Sequence, residues 1–116
     1  MLAVLDAPEW LVMFSLVGLV VLMTEITSNT ATTAALAPLV AILAVTIGLS
    51  LDVALMVTAL AAGCAFMMPV ATPPNAIVFA SGRLRVSSMA KAGVVVNLLA
   101  ITVLTIAAVW WMPWVR

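Results

Sequence analysis

Thr24 and Ser28 stand four residues apart, so on a helix they share a face, and the carbonyls at the end of that helix are unpaired and negatively poised. Hydroxyl and carbonyl oxygens together suit Na+. Asn29 and Thr30 fall at the start of the following helix, where free N–H groups and the dipole favour an anion. A second stretch, Val70-Ala71-Thr72-Pro73-Pro74-Asn75, repeats the arrangement. Carbonyls are released around Val70 and Ala71, and Thr72, Pro73 and Asn75 open a half-helix with its positive end inward. If the two stretches face each other, a cation and an anion bind side by side, and each lowers the cost of taking the other out of water. Both stretches also have a plainer reading, since Ser and Thr in apolar helices bond back to a carbonyl one turn earlier and prolines simply kink.

Other reactive groups are few. There is no histidine, no pair of carboxylates at useful spacing, no metal-ligand cluster and no glycine-rich phosphate loop, so an enzyme is not expected. Cys64 lies in an apolar run without a basic neighbour and reads as packing, as do Met67 and Met68. Glu25 has two readings, a carboxylate in an aqueous cavity near the cation site or one that solvates a loop.

The elements that must position these residues follow from composition. Of 116 residues, 67% are apolar and 7% charged, and the mean hydropathy is +1.40; a soluble domain could not cover its surface with so few polar groups. The chain reads as an all-α integral membrane protein. The formal net charge is zero and there is no basic run, which excludes nucleic acid as a partner.

Asp6-Ala7-Pro8-Glu9 resembles a helix start with Asp6 as N-cap. The apolar run from Trp10 to Gly48 is nearly twice a single crossing of about 20 residues, and the polar knot Thr24–Thr30 must turn it back. Residues 10–48 therefore form a helical hairpin with its tip at 28–30, Pro38 lying in the second limb. The hairpin either crosses the membrane conventionally or is re-entrant, turning inside it. Residues 51–81 read as one discontinuous transmembrane helix broken at 69–74 by Pro69, Pro73 and Pro74, its first half running to Met68. Residues 92–113 form the last transmembrane helix. Loop 82–91 holds Arg83, Arg85 and Lys91 and is placed in the cytoplasm, with Trp110, Trp111, Trp114 and Arg116 at the outer face and the carboxy terminus outside.

Ser28-Asn29-Thr30 with its Ala/Thr-rich limb, followed about forty residues later by Pro69-Val70-Ala71-Thr72-Pro73-Pro74-Asn75-Ala76, resembles the carboxy-terminal hairpin and broken helix of the divalent anion:sodium symporters. The resemblance covers nearly the whole chain and corresponds to the second repeat of the transport domain. It implies a re-entrant hairpin, substrate contacts at Asn29, Thr30, Thr72 and Pro73, and sodium ligands at Thr24, Ser28, Asn29 and Ala71. It also implies Na+ as co-transported ion, a di- or tricarboxylate anion as substrate, an elevator mechanism in a homodimer and a plasma-membrane location. The first hairpin, its sodium site and the scaffold helices are then expected from an amino-terminal half in this or another chain, this part being inactive alone. The alternatives are a sulfate/sodium symporter fragment and a small structural or regulatory membrane subunit.

Overall fold

The computed structural model describes residues 7–115, which form five helices and, among the described residues, no strand: α1 (Glu9–Thr24), α2 (Asn29–Ile47), α3 (Leu51–Ala62), α4 (Pro73–Ala80) and α5 (Val86–Val115). Asp6 and Arg116, read from the sequence as a cap and as an outer-face residue, lie outside the described residues. Helix α1 begins after Pro8, with Glu9 in its first turn at the positive end of the dipole. It stops where the apolar run gives way to Glu25 and the hydroxyl residues. Ser28, in extended backbone, then caps α2 by accepting the Ala31 N–H at 3.2 Å. Helix α2 continues through Pro38 and ends at Gly48, whose φ of 73° lies in the left-handed region that glycine tolerates best.

Two boundaries differ from the sequence expectation. Helix α3 ends at Ala62 rather than at Met68, so the break occupies residues 63–72 and starts well before the first proline. The cause is a side chain from elsewhere in the chain: Glu25 accepts the N–H groups of Phe66, Met67 and Met68, which an unbroken helix would have used internally. Helix α5 starts at Val86 rather than Ala92. Val86–Lys91 contains no glycine or proline, and the Arg85 carbonyl accepts from both Ser88 and Met89, so the helix extends back to the basic residues.

Helix α1 is central. Its stripe Val12, Met13, Leu16, Val17, Val20, Val21 and Thr24 recurs at helical spacing and is buried between α3 and α5. Helix α2 packs on α3, which is itself in contact with α5. On α5 the buried stripe is Gly93, Asn97, Ile101, Thr105, Ala108 and Met112, one face of thirty residues. The other faces are apolar and uncovered: Ile42 and Val45 on α2 are 66% and 71% exposed, and Leu99 and Ile106 on α5 are 60% and 63% exposed. Helices α2 and α5 are long and apolar enough to cross a membrane. Surfaces of this kind suit lipid or the face of further protein.

The lengths are informative. Helix α5, with 30 residues, rises about 45 Å, whereas α1, with 16, rises only about 24 Å. Helix α4 stands clear of the bundle, all of its residues but Asn75 being exposed.

Gly93 is where the irregular backbone meets α5. A Cβ there would lie 2.3 Å from the Phe66 carbonyl oxygen and 2.5 Å from the Met67 Cα, so no side chain fits without moving the break. Gly18, on α1, has nothing within 4 Å of such a Cβ. Gly93→Ala is therefore expected to destabilise the chain by about 1–3 kcal/mol, measured by SDS titration of the helical signal in mixed micelles. Gly18→Ala should be neutral or favourable by about 0.5–1 kcal/mol. Equal behaviour of the two variants would contradict this account of the packing.

Candidate functional site

In an apolar surrounding, backbone N–H and C=O groups outside regular helices must find partners within the protein. The break from Gly63 to Thr72 has ten residues of such backbone; Glu25, Asn97 and Asn75 hold its middle, residues 65–68, and Thr24 bonds the last carbonyl of α3. Glu25, just past the end of α1 and only 4% exposed, accepts Phe66 N–H on Oε1 at 2.9 Å, Met67 N–H on both oxygens at 3.0 and 3.2 Å, and Met68 N–H on Oε2 at 3.0 Å. Asn97 of α5 donates Nδ2 to Glu25 Oε1, and its own Oδ1 accepts from Phe66 N–H at 3.2 Å. Asn75 of α4 donates Nδ2 to the carbonyls of Ala65 and Met68 at 2.8 and 3.0 Å. Thr24 Oγ1 lies 2.8 Å from the Ala62 carbonyl, the last of α3. Burial excludes a loop-solvating role for Glu25.

The prolines decide which carbonyls remain free. In a continuous helix the N–H groups of residues 73 and 74 would bond the carbonyls of Pro69 and Val70, and both positions are proline. The next in line, Asn75 N–H, turns instead to the Thr72 hydroxyl, which caps α4 at 3.4 Å. Ala71 is buried, and among the described residues its carbonyl accepts no hydrogen bond. A carbonyl without a donor, on a residue that lines a cleft, is available to a positive partner.

The hairpin tip is built in a complementary way. Thr24 Oγ1 lies 2.7 Å from Asn29 Oδ1 as well as near the Ala62 carbonyl, so one hydroxyl proton faces two acceptor oxygens. Three oxygens with a single hydrogen between them have the composition an alkali cation needs. Ser28 Oγ is engaged in capping α2. The Asn29 Nδ2 and Thr30 hydroxyl have no hydrogen-bond partner among the described residues, and both stand at the N-terminus of α2, the end suited to an anion. Thr27 and Thr32 tie the turn together through their hydroxyls.

Tip and break meet. Ile26, Thr27, Ser28, Asn29 and Thr30 line a cleft of about 480 Å³ together with Val70, Ala71 and Pro73. Of the residues singled out in the sequence, Ser28, Asn29, Thr30, Ala71 and Pro73 thus share one opening. Thr24 is fully buried beneath it, bonded to Asn29. Thr72 is half-buried and is held by α4 rather than lining this cleft. Sequence reasoning missed the Ala62 carbonyl, Asn97, and the bracing by Asn75. Asn97 had a signal, being the one polar residue in the run Val94–Ile101; the Ala62 carbonyl had none, because every residue carries one.

Residues 3–116 match the family described as the sodium:sulfate symporter transmembrane region. Solute carrier family 13 member 2 of Oryctolagus cuniculus is 56% identical over 52 residues, 45% of this chain and 9% of that protein. The sodium-dependent dicarboxylate transporter SdcS of Staphylococcus saprophyticus is 49% identical over 55 residues, 47% of this chain and 11% of that protein. SdcS of Staphylococcus aureus (strain USA300) is 39% identical over 71 residues, 61% of this chain and 14% of that protein. The matched stretches are thus a small part of each relative's length. The chain belongs to the sodium:sulfate symporter family, the divalent anion:sodium symporters that its hairpin tip and proline-rich break resemble.

Proposed function

We propose that this chain is the carboxy-terminal part of a sodium-coupled di- or tricarboxylate transporter and forms one half of its substrate and ion site. The observation that carries the reading is the shared cleft between Ser28–Thr30 of the tip and Val70–Pro73 of the break. Sodium is held by the Thr24 and Ser28 hydroxyls, Asn29 Oδ1 and the Ala71 carbonyl. Asn29 Nδ2, the Thr30 hydroxyl and the α2 N-terminus bind one end of the dianion, with Pro73 on the cleft wall and Thr72 next to it, where its cap on Asn75 N–H sets the start of α4. Asn29 serves both ligands, its carbonyl oxygen turned to the cation and its amide hydrogens to the anion. The cation removes much of the penalty for bringing a dianion out of water, which couples the two.

The hairpin is re-entrant in this reading. The tip sits beside the break, and the break follows only 12 residues of α3, a depth of about 18 Å. Helix α1 is likewise too short to span a hydrocarbon core of about 30 Å. Arg83, Arg85 and Lys91 are exposed at one end of α5 and face the cytoplasm, while Trp110 and Trp114, 71% and 78% exposed, occupy the outer interface. The uncovered faces of α2 and α5 meet lipid and the rest of the transporter, which is an elevator working as a homodimer.

The carboxylate preference rests on relatives named for dicarboxylates, and uptake tests it directly. The chain, co-expressed with the amino-terminal portion of a dicarboxylate transporter of this family, is expected to take up succinate only when sodium is present. The chain alone should not. Competition by sulfate rather than succinate would move the substrate to sulfate, and no uptake by a folded, inserted pair would favour a structural subunit. In the same vesicles Thr72→Val is expected to raise the succinate KM about tenfold, or ~1.4 kcal/mol, without loss of insertion, and Thr72→Ser should restore it. An unchanged KM removes Thr72 from the site.

Position in the membrane has its own test. A cysteine at Asn29 should react more slowly with a membrane-impermeant thiol reagent once sodium and succinate are added. Labelling as fast as in an aqueous loop, and indifferent to both, would return the tip to the headgroups.

A further inference from the structure

Glu25 is the one buried charged residue among the described residues. It faces no cation: Arg83, Arg85 and Lys91 are all exposed in or next to the first turns of α5. Its partners are hydrogen-bond donors only, three backbone N–H groups and the Asn97 amide. Capping backbone N–H groups does not need a charge. A serine or an asparagine does so at helix starts throughout proteins, without the desolvation penalty of an unpaired carboxylate in an apolar surrounding. The charge therefore requires a reason beyond the cap.

Its position supplies one. Glu25 follows Thr24 directly, and the Thr24 hydroxyl lies against Asn29 Oδ1 and the Ala62 carbonyl. The same carboxylate fixes Phe66–Met68, and the Met68 carbonyl in turn accepts the Ala71 N–H at 3.2 Å. One side chain thus links the tip, the break and, through Asn97, α5. It also leaves one uncompensated negative charge beside oxygens that are already short of hydrogens.

We propose that Glu25 is a positioning residue for cation binding: gripped by the Phe66–Met68 amides and Asn97, it holds the break against the hairpin tip and supplies a fixed countercharge to Na+ without ligating it. The inference rests on the sodium-coupled reading above and deepens it. The links are made within the protein, so the ion's part is to complete the charge balance of the site. Glutamine cannot substitute. It removes the charge, and whichever way its amide is turned, one of its ends presents N–H to the backbone N–H groups of the break.

Two measurements test this. In vesicles holding the chain and its co-expressed amino-terminal portion, Glu25→Gln is expected to raise the sodium concentration for half-maximal succinate uptake about tenfold or more. The succinate KM at saturating sodium should stay within about twofold, and Glu25→Asp, which keeps the charge, should recover most of the sodium affinity. In the chain alone in lipid nanodiscs, the amides of Phe66, Met67 and Met68 should exchange hydrogen about tenfold faster in Glu25→Gln than in the parent. Unchanged sodium dependence, or an equal loss in the sodium and succinate constants, overturns the proposal, as does unchanged exchange at 66–68. Where Glu25→Gln does not reach the membrane, Asn97→Ala decides: a sodium requirement raised about threefold supports the proposal and an unchanged one overturns it. Absence of sodium-dependent uptake by the parent pair would instead sink the transporter reading, and the countercharge with it, leaving the amide exchange at 66–68 as measured.

Discussion

Ten residues of irregular backbone between α3 and α4 cannot be left to solvent in so apolar a molecule, and the rest of the structure is arranged around that constraint. Each unpaired N–H or C=O in hydrocarbon costs several kcal/mol, roughly as much as a folded domain has to spare. Glu25 takes the N–H groups, Asn75 and Thr24 take carbonyls, and Asn97 steadies the carboxylate. Gly93 lets α5 approach the same backbone closely enough for Asn97, one turn further on, to reach it. The central position of α1 follows, because Glu25 must arrive at the break from the end of a helix already packed against α3 and α5.

What the clasp leaves unpaired is as informative as what it pairs. Prolines at 73 and 74 remove two donors, and the Thr72 cap diverts a third, so carbonyls of the break go without intrahelical partners, and Val70, Ala71 and Pro73 line one cleft with Asn29 and Thr30 of the α2 N-terminus. Residues with unpaired carbonyls and residues of a helix N-terminus therefore share one opening. A membrane helix broken merely to bend would have no need for this division of charge, and a break accommodated by lipid could not survive it.

The same links join three parts of the fold. Tip, break and α5 are connected by side-chain hydrogen bonds that need no ligand, whereas α4 touches the bundle chiefly through Asn75. The broad apolar faces of α2 and α5 remain uncovered by this chain.

The sequence by itself determined the medium, the helices and the ingredients of the site. Apolar runs of membrane length settle the class; Ser28, Gly48 and Thr72 mark helix ends by local chemistry that needs no tertiary partner; and hydroxyls and prolines at fixed spacing announce two breaks. It did not reveal where α3 stops, because the group that ends it, Glu25, is some forty residues away in the chain. Nor did it reveal what Glu25 does, since a carboxylate's role is set by the donors that reach it. Only the tertiary structure decided that the tip and the break share one cleft, that Asn97 and Gly93 serve the break, and that the Ala62 carbonyl joins the oxygens around Thr24. Capping and proline effects act within a turn and can be read along the chain; pairing of buried polar groups acts through space, and only the packed helices fix the partners.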